Sequence, residues 1–243
     1  MNANLLKFLE AAVKFAMVDW KKGIREKTHH PDIDRIAKQS GFSNHMEWKE
    51  NGRASRMWCG MFCACHMLMA GLNQALRSGL WHVKNVEDFF NYKYGKRVPQ
   101  WVMVEGKKYK VKDFHDQQNA PRLWITHKMI SAMIKEDGAK LVGYSDVGLV
   151  GPGDILLVDG GADGSPNHIT MVKEYKGGVI TTVEGNASGV INVPGENGVT
   201  KKVKGDAVTL NFRDLNNPKD VEKIYGIGRL SLEDFNKDYK YEI

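Results

Sequence analysis

Apolar residues near the start of the chain recur at helical spacing. Leu5, Leu9, Ala12, Phe15 and Ala16 share one stripe, the repeat of a helix lying with one face on a core. Lys7, Glu10, Lys14 and Asp19 break the apolar run. The stretch therefore lacks the unbroken centre of a signal peptide and the roughly 20 apolar residues of a membrane span. The expectation is an amphipathic helix, no signal peptide and no membrane span. "HPDIDRIAKQSG" predicts a short helix ending at Gly41. "CGMFCACHMLMAGL" is apolar nearly all round and predicts a buried helix stopped near Gly71. "WVMVEGKKYKVKDF" predicts a hairpin around Glu105–Gly106–Lys107. "PRLWITHKMISAMIKEDG" predicts a helix with Pro121 near its start and Gly138 just past its end.

From Lys140 onward the period changes to that of strands. "GDILLVD", "HITMVKEY", "GVITTVEG", "AVTLNF" and "IYGIGRL" are short β runs separated by Gly, Asn and Asp. Helices first and an antiparallel sheet second make an α+β arrangement. With no repeat and no linker, residues 1–243 read as one domain.

Composition adds three constraints. Apolar residues are 42% and charged residues 26% of the chain, as in ordinary globular proteins, and a chain of 243 residues buries a core without staples. The three cysteines all fall between Cys59 and Cys65, an odd, local set that excludes a disulfide framework and suits synthesis in a reducing compartment. The net charge is +6, with lysine clusters at 107, 108, 110 and 112 and at 201, 202 and 204. Such a surface favours polyanions, although lysines on hairpins are also simply solvated. No nucleic-acid-binding motif is present, so nucleic acid is not the expected partner.

The chemistry begins at Cys59, which follows Trp58 and opens the buried helix. Unpaired N–H groups and the macrodipole at a helix N-terminus favour an anion, which lowers a thiol's pKa. Cys63 and Cys65 lie inside the helix among Met, Phe and Ala and read as core. A thiolate nucleophile needs a histidine, and the histidine an orienting group. His66 lies seven residues on, about 10 Å along the axis, too far for proton transfer. His29 and His30 precede Pro31 and read as surface loop. His168 begins a strand, and the next strand carries "VEGN". Glu184 and Asn186 share a face there by the strand period. A three-residue loop, Lys176–Gly177–Gly178, sets His168 opposite Asn186 and Thr170 opposite Glu184; a two-residue loop turns His168 away. The odd loop is therefore expected.

Metal and cofactor chemistry is not expected. Cys63, Cys65 and His66 on one buried helix cannot converge tetrahedrally, and "DGGADG" at Asp159 lacks the ligand pattern of a calcium loop, reading instead as a flexible turn. Trp58, Trp81, Trp101 and Trp124 are candidates for a substrate groove, with core packing as the alternative for each; Trp58, Trp101 and Trp124 are carried forward as substrate-binding candidates.

"WCGMF", "GPGDILLVD", "NHITMV" and "VEGN", in that order, resemble the motifs of CHAP-type cysteine peptidases, the cysteine, histidine-dependent amidohydrolases/peptidases. "GIREKTHHPDIDRI" and "IYGIGRL" are similar to flanking elements of that family. The resemblance spans roughly residues 8–71 and 150–230. It implies a papain-like α+β fold in which helices pack on an antiparallel sheet, and hydrolysis of amide bonds in bacterial peptidoglycan by Cys59 and His168, with Glu184 or Asn186 holding the imidazole. Gly60 stands where the family has a small Ala, and Ile169–Thr170 where it has Val-Gly. Residues of about 80–125 read as an insertion. The implied partners are peptidoglycan and other anionic wall polymers. The implied setting is a phage lysis enzyme or a delivered antibacterial toxin, made in the cytoplasm and acting at the wall. The rival readings are a thiol acyltransferase, thioesterase or deamidase, and a non-catalytic wall-binding module.

Overall fold

The computed structural model describes residues 3–25, 31–42, 58–93, 96–97, 102–104, 107–109, 122–137, 150–187, 190–194, 200–204 and 206–236. The helices are α1 (Ala3–Lys21), α2 (Pro31–Gln39), α3 (Trp58–Met69), α4 (Val83–Asn91), α5 (His127–Asp137) and the single turn α6 (Pro218–Val221). Short 3-10 segments span Gln74–Leu80 and Leu232–Asp234. The strands are β1 (Tyr92–Lys93), β2 (Lys96–Arg97), β3 (Val102–Val104), β4 (Lys107–Tyr109), β5 (Leu123–Thr126), β6 (Ile155–Val158), β7 (His168–Lys176), β8 (Val179–Ala187), β9 (Val190–Pro194), β10 (Thr200–Lys204), β11 (Ala207–Asp214) and β12 (Ile224–Arg229).

Every strand run expected after Lys140 enters one antiparallel sheet of six strands, in the order β11-β8-β7-β6-β12-β5. The remaining strands form two-stranded pairs; β3 and β4 make the expected hairpin, with Val104 opposite Lys107. Both faces of the main sheet are covered. Ile155, Leu157, Ile169, Met171 and Val183 join the core built with α1, α3 and α4. Leu156, Val158, Val172, Ile130 and Val221 belong to a second core, with α5 and α6. β6 therefore reads as an unbroken apolar run, because successive side chains enter different cores. Among the described residues no helix is long and apolar enough to cross a membrane.

The single helix expected from Pro121 to Gly138 is corrected. Leu123–Thr126 is strand β5, paired with β12 from Leu123 opposite Arg229 to Thr126 opposite Gly226, and the helix begins only at His127. Leu, Trp, Ile and Thr suit a half-buried pleated surface. The pairing also supplies partners to backbone groups of β12 that burial would otherwise leave unpaired.

A second correction concerns the turn between β7 and β8. It holds two residues, not three: Lys176 pairs with Val179, and Gly177 and Gly178 have φ of 59° and 85°. These are left-handed values that a tight hairpin demands and glycine adopts freely. A β-bulge nevertheless restores the expected register. Glu174 pairs with Thr181 but Val172 with Thr182, so Lys173 is an extra residue on β7. Beyond it Met171 faces Val183, the pairing that a three-residue loop would give. The odd residue lies in the strand instead of the loop.

Candidate active site

Cys59 is the second residue of α3 and is 1% exposed. The next residue, Gly60, is packed too closely for a side chain. A Cβ on Gly60 would lie 2.3 Å from the carbonyl oxygen of Trp81 and 2.6 Å from that of Leu80. No side chain fits, so the first turn of α3 docks directly on the backbone that follows the Gln74–Leu80 segment. Gly185 of β8 is tight in the same way: its Cβ would meet Phe62 at 2.6 Å and Trp58 at 2.7 Å. Two glycines thus let the N-terminal turn of α3 lie against the sheet end and the neighbouring chain.

The Cys59 thiol is hydrogen-bonded with the His168 imidazole and receives the backbone N–H groups of Ile169 and Gly60. Burial by itself raises the thiol's pKa; His168 and these donors outweigh it and hold Cys59 below the ordinary value. His168 opens β7 opposite Val158 of β6. Its Nε2 lies 3.1 Å from Glu184 Oε2, which leaves Nδ1 for the sulfur. Burial lowers the His168 pKa, but Cys59 and Glu184 push it up to about 10. The electrostatics favour a thiolate–imidazolium pair.

Glu184 is 1% exposed and fully engaged. Thr182 Oγ1 donates to its Oε1 at 2.6 Å, and Arg213 Nη2 lies 2.8 Å from the same oxygen. Asn211 Nδ2 donates to Oε2 at 2.7 Å. Burial raises its pKa, yet Arg213, His168 and Thr182 together hold the carboxyl far below its ordinary value. Thr182, Asn211 and Arg213 escaped the sequence reading. Their signal was faint: polar residues alternating along the otherwise apolar "TLNFRD" of β11 and beside "VEGN" on β8.

Asn186 does not follow the simple alternation. Ala207 pairs with Ala187 but Thr209 with Glu184, so β8 carries an extra residue here, and Asn186 has φ of 58°. Among the described residues no hydrogen bond joins its side chain to His168, and the imidazole's carboxylate partner is Glu184. Cys63 is fully buried, its thiol pushed up by burial and by the negative charges of Cys59 and Glu184. Cys65 is fully buried and donates to Gln39 Oε1 at 2.9 Å, with its pKa raised to about 12 by burial. His66 is fully buried between Asp19 and the Phe62 carbonyl.

Trp58 and Trp124, named above as substrate-binding candidates, are 3% and 1% exposed and sit in the core. Trp124 stacks on Phe90 at 6.0 Å between ring centres. Neither presents a ring face to solvent, because the close packing at Gly185 and Gly226 uses those faces. Trp101, His29 and His30 lie outside the described residues. Asp159 organises the loop before β7, accepting N–H groups from Gly161 at 3.1 Å and Gly164 at 2.6 Å, so "DGGADG" is a tied turn with its carboxylate already used. A cleft of about 690 Å³ is lined by Glu87, Trp124, Asp159 and Tyr225 among others, but not by Cys59 or His168. Comparison with family models, curated proteins and solved structures finds no match for this chain.

Proposed function

We propose that the chain is a cysteine hydrolase of the papain-like, CHAP type that cleaves amide bonds in bacterial peptidoglycan. One observation carries the reading: a thiol in the first turn of a buried helix, hydrogen-bonded to a histidine whose Nε2 is held by a buried carboxylate. These are the parts of nucleophilic acyl transfer. In this reading the Cys59 thiolate attacks the carbonyl carbon, forming a C–S bond and an oxyanion. The Cys59 backbone N–H, which has no acceptor within the helix because it lies in the first turn, is the oxyanion donor. The His168 imidazolium gives its proton to the leaving amine as the C–N bond breaks. His168 then draws a proton from water, which attacks the thioester and releases the acid. Glu184 keeps the ring oriented and its charge balanced. The net charge of +6 suits an anionic wall, and no metal or organic cofactor enters the scheme.

The test is digestion of purified peptidoglycan by the wild type and by Cys59→Ala, with mass analysis of the fragments. New amino or lactyl ends produced by the wild type alone are expected; identical fragment patterns overturn the reading. A second reading keeps the thiolate and changes the substrate to a lipid or protein acyl group. Its support is that Cys59 is 1% exposed in a turn whose neighbours Trp58, Met61 and Phe62 are buried and apolar. Turnover of an acyl thioester with no action on peptidoglycan selects it.

A further inference from the structure

Two anions and two cations meet in the Cys59 site, and the second cation is not part of the triad logic. We infer that Arg213 is a positioning residue for the nucleophile: it supplies the charge that lets Cys59 and Glu184 be anions at the same time. The inference rests on the thiolate chemistry proposed above and adds a residue to it.

The geometry makes the case. Arg213 reaches from β11 with Nη2 at 2.8 Å from Glu184 Oε1, and its Nη1 donates to Thr182 Oγ1 at 2.7 Å. Thr182 Oγ1 in turn donates a hydrogen bond to the same Glu184 oxygen at 2.6 Å. The guanidinium and the hydroxyl therefore grip one carboxylate oxygen, while the other faces His168 and Asn211. The side chains of Arg213 and Glu184 are only 11% and 2% exposed, so solvent screens the pair weakly. The titratable and charged groups acting here are His168 from β7, Cys59 and Cys63 from α3, and Arg213 from β11. Cys63 stays a neutral thiol, because burial and the neighbouring negative charges oppose its ionisation.

Charge counting then decides the role. His168 as imidazolium neutralises one anion. Without Arg213 the buried cluster of Cys59, His168 and Glu184 carries an uncompensated negative charge, which is costly at low dielectric. The cluster relieves that cost by taking up a proton, and Cys59, bound by neutral donors apart from His168, is the group that takes it. A merely structural role is not needed for this arginine. The backbones of β8 and β11 are already paired from Thr209 opposite Glu184 to Asp214 opposite Val179.

The experiment follows the Cys59 thiolate by its ultraviolet absorbance against pH, each protein being referenced to its own Cys59→Ala counterpart. No substrate is involved. Arg213→Met is expected to move the thiolate inflection up by about one pH unit or more, which makes the thiolate fraction about fivefold smaller at the wild-type inflection and about tenfold smaller well below it. Arg213→Lys, which keeps the charge, and the double variant Arg213→Met with Glu184→Gln, which removes one charge of each sign, are expected within about half a unit of wild type. An Arg213→Met curve that superimposes on wild type overturns the inference, as does a double variant displaced as far as Arg213→Met. Should Arg213→Met fail to fold, Arg213→Lys and the double variant decide, and a shift of about a unit in either overturns it. Absence of a Cys59 thiolate in the wild type at neutral pH also overturns it. A thiolate present in a protein that leaves peptidoglycan intact counts against the proposed function alone.

Discussion

Among the described residues two histidines are built almost alike, His66 fully buried and His168 half-buried. His168 meets Glu184, which Arg213 grips; His66 meets Asp19 at 3.0 Å, which Arg35 grips. Each assembly has a cysteine beside it, Cys59 in the first and Cys65 near Arg35 in the second. The difference is what the other ring nitrogen touches. In His66 it is the Phe62 carbonyl at 2.7 Å, one turn back in the same helix, an acceptor with no chemistry to do. In His168 it is a thiol. The same triplet of histidine, carboxylate and arginine thus joins α1, α2 and α3 as a clamp in one place and, in the proposed function, activates the thiol in the other. The two cysteines respond in opposite directions: Cys59 falls below its ordinary pKa, while burial pushes Cys65 up to about 12. A buried histidine–carboxylate pair is therefore no sign of catalysis until its second nitrogen is known.

Four tests sharpen that contrast. The largest effect belongs to the reactive side. If the proposed function holds, Cys59→Ala or His168→Ala should lower peptidoglycan hydrolysis by at least about 10³-fold with the fold retained, whereas the folded fraction of His66→Ala should keep that activity. Equal losses in the two histidine variants would erase the distinction. On the clamp side, Asp19→Ala leaves Arg35 and His66 without their shared carboxylate, and unfolding in urea should show a loss of about 3–5 kcal/mol. A loss below about 1 kcal/mol would make the clamp an ordinary surface pair.

The third test concerns the packing that keeps the thiol at the helix start. Gly60→Ala places a methyl 2.3 Å from the Trp81 carbonyl oxygen, so α3 or its neighbour must shift. The expected cost is about 1–3 kcal/mol, read by thermal melting, together with a weaker Cys59 thiolate signal. An Ala variant as stable and as ionised as wild type would show that the close approach is immaterial.

The smallest effect is a pattern of stability against pH. His168 is raised from 6.5 to about 10, so its contribution is complete below 6.5 and fades as pH rises through 10. Cys59 is lowered from 9.0, so its contribution is complete above 9.0 and fades as pH falls through the folded value. Above 6.5 and above the folded Cys59 value, up to 9.0, the folded pair holds one proton, on the histidine, and the unfolded pair also holds one, on the thiol. The slopes cancel, and the pair makes stability neither rise nor fall with pH in that window. Cys59→Ala removes one side of the balance. Relative to wild type, its stability should then decline with pH above 6.5 as far as Glu184 alone keeps His168 raised, by up to about 1.4 kcal/mol per unit. Parallel curves for the two proteins would mean that Glu184 alone does not hold His168 above its ordinary value.

Much of this was legible in the chain, for definite reasons. The strand runs after Lys140 show period-two alternation or continuous apolarity between glycines, and all of them enter the sheet. Cys59 stood out because it lies in the first turn of a largely apolar helix, and His168 because a strand starts on it. Asn186 was placed on the face of Glu184 by counting in twos, and its left-handed backbone at a bulge is what counting cannot see. Trp124 was read into a helix because a short apolar segment before a helical one has no period of its own; its pairing with β12 made it a strand.

By itself the sequence determined which segments are helices and strands over most of the described chain, and which cysteine and histidine stand at element ends, because patterning and end signals are local. Tertiary structure decided the rest. The bulge at Lys173 corrected a turn one residue shorter than expected, and only the pairing of β7 with β8 expresses that. Arg213 and Asn211 acquired their meaning when β11 paired with β8 and brought them onto Glu184. Two alike histidine clusters were given different work by what lay across from their second nitrogen. Hydrogen bonds and charge compensation depend on positions in space, and residues far apart in the chain set those positions only once the sheet has closed.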